Sequence, residues 1–104
     1  MTQEEGWAKL GECRRRIDEL DVEILKLINE RTRIVEQIGQ VKQELRMAIY
    51  EPKREEAVFA NVLSHNGGPL PGEAVKRIFE RVIDEMRNVQ KVRMQEAAQA
   101  ETEC

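Results

Sequence analysis

The chain has 104 residues, of which 36% are charged and 4% aromatic, and its formal net charge is −3. A chain of this length makes one small domain, and its net charge gives no global electrostatic reason to bind nucleic acid. The composition favours helices, and no run of alternating β-branched residues indicates a sheet, so we predict an all-α fold.

The first predicted helix extends from Trp7 or Leu10 to Leu45 and carries an apolar seam. Positions of the seam recur in alternating steps of three and four, the spacing of one helix face. Its aliphatic members are Ile17, Leu20, Ile24, Leu27, Ile34, Ile38, Val41 and Leu45. About 36 helical residues span on the order of 54 Å, which exceeds the width of a compact domain of this size. We therefore predict that a second copy covers the seam in an obligate homodimer.

Two residues interrupt the apolar pattern of this helix. Arg31 occupies one position of the seam, where a buried unpaired charge would cost several kcal/mol. Its guanidinium therefore needs an anion, which is either a neighbouring carboxylate in a register-setting ion pair or a bound ligand. Gly39 costs roughly 0.8–1 kcal/mol against Ala in a helix interior, which indicates close approach of another backbone or of a ligand.

A short break over residues 46–50 separates this helix from a second, short one. The second helix opens at Glu51-Pro52, because Pro is well tolerated at the first helical position. Counting back one turn from its apolar face places Arg54 and Glu55 on the inward side as well. The predicted apolar face consists of Val58, Phe59, Val62 and Leu63.

A third helix of medium length follows the Gly/Pro-rich segment 64–72, which is the dense turn signal of the chain. We predict that it runs from about Glu73 into the mid-90s, with Gln90 continuing its apolar stripe. The inward residues of that stripe are Val75, Ile78, Phe79, Val82, Ile83 and Met86. The whole chain, residues 1–104, is then one domain, with a core of about residues 10–94 and a frayed polar tail over residues 95–104.

The cysteines and the histidine give no sign of a metal site. Cys13 and Cys104 are far apart without a Cys-x-x-Cys motif, and the lone His65 lies in the predicted turn. We expect no metal ion and no cofactor. A signal peptide and an apolar stretch of membrane-spanning length are also lacking, so we expect no membrane association and a reducing, cytoplasmic location.

Several polar residues fall on or beside faces that the periodicity predicts to be apolar, namely Arg31, Lys42, Arg54, Glu55 and Gln90. Lys42 follows Arg31 by about three turns, which returns it to within roughly 20° of the same direction. Arg14 cannot join these residues in its own chain, but in an antiparallel dimer it reaches the cluster of the partner. The cationic excess suits a small dianion. Without a nucleophile–base pair or a proton relay, the cluster can restrict a substrate's conformation and stabilise developing negative charge.

The sequence resembles the all-helical chorismate mutases. The resemblance rests on Arg14-x-x-Ile17-Asp18-x-Leu20-Asp21-x-x-Ile24-x-x-Leu27-x-x-x-Arg31, Ile38-Gly39-x-x-Lys42, Pro52-x-Arg54-Glu55 and Gln90, and spans about Leu10 to Lys91. It implies an intertwined homodimer with two equivalent sites, each completed by the long helix of the partner. It also implies the Claisen rearrangement of chorismate to prephenate, on the way to Phe and Tyr.

The same resemblance assigns roles to individual residues. Arg31 and Arg14 of the partner subunit would bind substrate carboxylates, with Arg54 assisting at that end. Lys42 and Gln90 would donate to the ether oxygen as its bond to carbon breaks. Glu55 would bind the ring hydroxyl, and Ile38, Val58 and Ile83 would form apolar walls. Glu51, a further substrate-binding position, stands where an aspartate is common in the family. Met86 departs from the pattern, because some relatives offer a small hydroxyl there.

Three other functions fit parts of this pattern. An isochorismate–pyruvate lyase or a 4-amino-4-deoxychorismate mutase would share the fold and the basic residues, although the hydroxyl contact through Glu55 favours chorismate. A non-catalytic helical dimerisation or regulatory module would explain the seam, but not the inward cationic excess. The pattern is compatible with a free-standing enzyme and with one domain of a fusion to another aromatic-pathway enzyme, and it gives no information on feedback control.

Overall fold

The computed structural model describes residues 1–103, which form three helices and no strand. These are α1 (Gln3–Leu45), α2 (Pro52–His65) and α3 (Gly72–Glu103). The predicted all-α fold with one long, one short and one medium helix is confirmed. Cys104 lies outside the described residues. No helix in the described part of the chain is long and apolar enough to cross a membrane.

Helix α1 begins earlier than predicted because Thr2 caps it. The Thr2 hydroxyl oxygen accepts a hydrogen bond from the Glu5 backbone N–H at 3.1 Å, and this satisfies one of the donors that a helix N-terminus leaves unpaired. Glu4 and Glu5 add negative charge to the first turn, where it interacts favourably with the positive end of the helix dipole. The segment before Trp7 is therefore helical.

The C-terminus of α1 is closed by two backbone hydrogen bonds that tie the following loop to it. The Met47 N–H donates to the Lys42 carbonyl at 2.8 Å, and the Arg46 N–H donates to the Gln43 carbonyl at 3.2 Å. This is the Schellman arrangement, in which the residue after the helix adopts a left-handed conformation. Arg46 does so, with φ of 56°. The predicted break at residues 46–50 thus has a defined geometry that begins at Lys42.

Helix α2 begins at the predicted proline, whereas α3 ends later than predicted. Pro52 occupies the first turn of α2 and Glu51 precedes it. Helix α3 continues to Glu103, because its final segment is rich in Ala, Gln and Glu, which are strong helix formers, and contains no Gly or Pro. The predicted end in the mid-90s was too early. The core limits of 10–94 and the fraying of residues 95–104 stay predictions.

The chain divides into two units, Met1–Arg33 and a second that starts at Ile34. In the first unit the seam side chains are exposed, with fractions between 53% and 63% for Ile17, Leu20, Ile24 and Leu27. The second unit buries the core of the described chain, which consists of Val35, Val75, Ile83 and Met86. Within it, α2 contributes only half-buried apolar side chains to its contact with α3.

Three residues predicted to point inward, Leu63, Ile78 and Arg54, are exposed in the single chain, and Leu63 is 39% exposed. Ile78 is 51% exposed, because it lies about 60° to one side of Val75 at the edge of the α3 stripe. Arg54 is exposed whereas Glu55 is half-buried, since consecutive helical residues point about 100° apart. Counting one turn back from the apolar face was correct for Glu55 and wrong for Arg54 within this chain.

Candidate functional site

The Lys42 side chain forms the centre of a buried polar cluster in the second unit. Only 7% of the residue is exposed, and its ammonium nitrogen Nζ lies 2.8 Å from Glu51 Oε1. Nζ also donates to the Ile49 carbonyl at 2.9 Å and to Gln90 Oε1 at 3.3 Å. An ammonium has three N–H donors, so these three acceptors account for all of them. The longest of the three contacts is the one to Gln90.

Glu51 supplies the negative charge that balances this buried cation. It occupies the N-cap position of α2, yet its side chain makes no capping hydrogen bond to that helix. The carboxylate turns to Lys42 instead. A buried charge without a partner would be strongly destabilising. The ion pair therefore explains how the Lys42 ammonium can be buried against the loop that follows α1.

Gln90 is the second buried polar residue of the cluster, and Gly39 makes room for it. Gln90 is 7% exposed, and a Cβ built on Gly39 would lie 3.4 Å from Gln90 Cγ. The close approach at Gly39 is therefore made by a side chain of α3, and the prediction of a second backbone or a ligand there was wrong. Because Gln90 Oε1 accepts from Lys42, the amide nitrogen of Gln90 must point away from Lys42. In this arrangement the third ammonium N–H is occupied by Gln90 Oε1, and the amide N–H groups of Gln90 face away from Lys42.

A cavity of about 370 Å³ lies beside Lys42 and Glu51. Its other lining residues are Ile34, Gln37, Ile38, Val41 and Met47. The volume falls within the range of small-molecule sites, which combine apolar walls with a few fixed polar groups. Three of the lining residues belong to the seam, namely Ile34, Ile38 and Val41. The predicted wall residue Ile38 therefore lines the cavity beside the buried ammonium.

A second cavity of about 350 Å³ is lined by residues of α1 and α3, including Gly39 and Gln90. An ion pair between Arg93 and Glu36 lies at its wall. Its lining carries charges of both signs, with Glu36 and Glu96 against Arg93. Two carboxylates against one guanidinium leave an excess of negative charge, which disfavours a dianion, in contrast to the cationic excess expected at the substrate site.

Glu55 is held by an arginine that the sequence analysis missed. Arg87 on α3 donates from Nε to Glu55 Oε2 at 3.2 Å and from Nη2 to Glu55 Oε1 at 3.1 Å. The signal was present in the sequence, because Phe79, Ile83 and Arg87 follow one another at steps of four on α3. Extending the apolar stripe through Ile83 would have placed Arg87 inward beside Gln90.

The remaining predicted residues are distributed over both units. Ile83 is buried and Val58 half-buried, but neither lines the cavity at Lys42. Met86 is buried in the core, which explains why an apolar residue is accommodated at that position. In the first unit, Arg31 is half-buried and Arg14 is exposed. Their roles toward a substrate stay predictions, as does that of Arg54.

The cluster has the chemistry of a site for developing negative charge. Fixed N–H donors in a poorly hydrated environment stabilise an anion strongly, because their reorientation is not needed during the reaction. Among the described side chains, no group of three or more His, Cys, Asp or Glu is placed so that it could hold a metal ion.

Comparison with known proteins agrees with this chemistry. The family model described as chorismate mutase type II matches residues 13–91. The chain is 36% identical over 87 residues to the bifunctional chorismate mutase/prephenate dehydratase of Aquifex aeolicus, covering 80% of this chain and 24% of that protein. It is 33% identical over 92 residues to the chorismate mutase of Methanocaldococcus jannaschii, covering 85% and 90%. The chain thus spans about a quarter of the bifunctional relative.

Solved structures give the same result. The chorismate mutase of Thermus thermophilus, in its form II structure, superposes with a TM-score of 0.78 at 32% identity, covering 80% of this chain and 94% of that one. The chorismate mutase of Helicobacter pylori, solved in complex with prephenate, superposes with a TM-score of 0.79 at 30% identity, covering 86% and 97%.

Proposed function

The chain belongs to the chorismate mutase type II family, and we propose that it converts chorismate to prephenate by a Claisen rearrangement. The observation that carries this proposal is the buried Lys42 ammonium, which lines a cavity of suitable size and contacts the buried side chain of Gln90. In the rearrangement the ether C–O bond breaks as a C–C bond forms within the same molecule. Negative charge develops on the ether oxygen, so the reaction needs donors at that atom rather than a nucleophile.

Lys42 and Gln90 are the proposed donors to that oxygen. The short contacts to Glu51 and the Ile49 carbonyl hold the ammonium in place, while the 3.3 Å contact to Gln90 is the weakest of the three. When substrate binds, its ether oxygen takes over this third N–H, and the Gln90 amide turns over so that its nitrogen donates to the same oxygen. For an acceleration near 10⁶, at the low end for enzymes, the site must supply about 8 kcal/mol.

The other predicted residues orient the substrate in this proposal. Arg31 and Arg14 of the partner subunit bind its two carboxylates, with Arg54 assisting, and Glu55 accepts a hydrogen bond from the ring hydroxyl. Ile38 supplies an apolar wall at the ring. The site holds the reacting carbons close together, so the substrate does not spend time in unproductive conformers. This restriction is a major source of rate acceleration in reactions of this kind.

A homodimer completes the proposed site. The seam residues of α1 are exposed in the single chain, up to 63% for Leu27 and Leu45. The chain exposes 8750 Å², whereas a folded monomer of 12.1 kDa exposes about 6000 Å². Covering the seam with the same seam of a second copy removes apolar surface from water and brings the partner's Arg14 to the site. Fusion to a further enzyme, as in the bifunctional relatives, is compatible with this arrangement.

Product identification tests the proposed reaction. Purified protein is mixed with chorismate and, separately, with isochorismate, and the products are identified by NMR. We expect prephenate from chorismate and little pyruvate from isochorismate. Dominant pyruvate release would assign the chain to the lyases of this fold. Absence of turnover with an intact dimer would favour a binding module or an amino-substituted chorismate as substrate.

A further inference from the structure

Arg87 is fixed by contacts with three different parts of the second unit. Arg87 makes two hydrogen bonds to Glu55 on α2. Its Nη2 also donates to Asp84 on the same helix as Arg87, at 3.2 Å. Its guanidinium carbon lies 5.3 Å from the centre of the Tyr50 ring, in the loop after α1. The Arg87 and Glu55 side chains are 27% and 22% exposed, so water competes little with these contacts. The orientation of the guanidinium plane is therefore determined by its surroundings.

The two parallel hydrogen bonds determine where the Glu55 carboxylate points. A glutamate side chain loses appreciable rotamer entropy when it becomes ordered, and a single donor would leave its carboxylate free to rotate. A two-point contact from a planar guanidinium fixes both oxygens at once. An ionised carboxylate accepts about four hydrogen bonds, so two acceptor positions remain after Arg87 has taken one on each oxygen.

We propose that Arg87 is a positioning residue for the substrate's ring hydroxyl, acting through Glu55. This inference rests on the proposed function, in which Glu55 accepts a hydrogen bond from that hydroxyl. Arg87 orders the carboxylate before the substrate binds and leaves an oxygen lone pair for the hydroxyl proton. It does not contact the substrate. Its contribution is to discrimination in favour of a substrate that carries the hydroxyl.

The alternative role for Arg87 is a structural ion pair between α2 and α3. Such a pair would stabilise the packing of these helices whatever the substrate carries on its ring. The two roles differ in one observable. Loss of a structural pair lowers turnover of all substrates alike, whereas loss of a positioning contact lowers it only for substrates with the ring hydroxyl.

The test compares two substrates in matched variants. The values of kcat and KM are measured for the wild type, Arg87→Met and Arg87→Lys, with chorismate and with an analogue in which hydrogen replaces the ring hydroxyl. Arg81→Met is the control, because Arg81 is an exposed arginine of the same helix that also pairs with a carboxylate, Glu85. Melting temperatures are recorded for each variant, and Arg87→Lys, which retains the positive charge, provides the comparison if Arg87→Met does not fold.

For Arg87→Met we expect kcat/KM with chorismate to fall roughly 10-fold or more, the loss expected for one charge-assisted hydrogen bond. The analogue should be turned over within about twofold of the wild-type rate, and Arg87→Lys should recover only part of the chorismate loss, because an ammonium lacks the planar fork. Equal losses on both substrates, or no loss with chorismate, would overturn the inference. The proposed function would still stand, provided that the wild type converts chorismate. Failure of the wild type to convert chorismate would overturn both.

Discussion

The buried ammonium of Lys42 determines what the site can bind. Its partners Glu51 and the Ile49 carbonyl neutralise and orient it at 2.8 and 2.9 Å, and the longer contact to Gln90 leaves one N–H that a ligand oxygen can take over. An anionic or partly anionic oxygen gains most from such a donor, because the surroundings are poorly hydrated. In the proposed function, Lys42 thus has a structural and a catalytic role at once.

Lys42→Ala tests the catalytic role, with fold and stability measured alongside turnover. We expect turnover of chorismate to fall by at least about 10³-fold, because the variant removes the main donor to the ether oxygen. Stability should fall as well, since Glu51 then loses its partner. The measurement is kcat in the purified variant, with circular dichroism and sedimentation to establish the fold and the dimer. Lys91→Ala, at an exposed neighbour of Gln90, is the control, and retained activity in Lys42→Ala would refute the role.

Individual site residues differ in how far the sequence could predict them. Lys42 and Gln90 were predicted because both interrupt or border an apolar stripe, and the structure places them in contact. Arg87 was missed because the stripe on α3 was taken to continue only through Gln90. The partners of Lys42 in the loop depend on backbone geometry, and the Ile49 carbonyl carries no signal in the side-chain pattern.

At the scale of the elements, the end of α1 connects the backbone to the site. The left-handed residue Arg46 allows Met47 to donate to the carbonyl of Lys42, and the loop then brings Ile49 and Glu51 to the Lys42 ammonium. The sequence predicted the break and the proline that starts α2. It did not indicate the left-handed turn, because glycine is the usual residue there and arginine is not.

Arg46→Gly should stabilise the protein. A left-handed conformation costs an ordinary residue about 1–2 kcal/mol, and this gain exceeds the roughly 0.4–1 kcal/mol by which a glycine stabilises the unfolded chain. We expect a higher melting temperature at fixed protein concentration and unchanged kcat. The control is Glu44→Gly in the last turns of α1, which should lower the melting temperature. A fall for Arg46→Gly as well would contradict the proposed geometry.

The contact of α1 with Gln90 makes a second prediction at this scale. An alanine Cβ at position 39 would lie 3.4 Å from Gln90 Cγ, the lower limit of ordinary contact, so Gly39→Ala should keep activity and gain up to about 1 kcal/mol of helix stability. The branched side chain of Gly39→Val adds bulk at the contact with Gln90 and should displace that side chain, lowering kcat roughly 10-fold or more. Steady-state kinetics of both variants measure this, and wild-type turnover in Gly39→Val would contradict it.

At the scale of the whole molecule, the exposed seam is the basis for proposing a homodimer. The sequence predicted both the seam and its length, and these residues are exposed in the single chain. Arg14 was predicted to act from the partner subunit because it lies too far along the helix from Arg31 and Lys42 of its own chain. Contacts between chains depend on the symmetry axis, which no periodicity within one sequence specifies. The proposed assembly therefore rests on the length and apolarity of α1 rather than on any single residue.

Leu27→Glu tests whether the seam is an interface. In an isolated chain the change would cost little, because Leu27 is 63% exposed. In a homodimer it places two carboxylates in an apolar interface, and we expect dissociation and unfolding at micromolar concentration. Lys26→Glu introduces the same group at the neighbouring exposed position, away from the seam, and should leave the dimer intact. Analytical ultracentrifugation distinguishes the two, and an unaffected Leu27→Glu dimer would exclude the seam as the interface.

The most direct test of the account is the activity of purified heterodimers, obtained by co-expressing two differently tagged chains. A heterodimer of Arg14→Ala with Lys42→Ala has one intact site if Arg14 acts across a two-fold interface, and we predict about half the wild-type kcat per dimer. A heterodimer of the double variant with the wild type then has no intact site and should be inactive. The reverse pattern, with activity only in the second heterodimer, would contradict a site shared between chains.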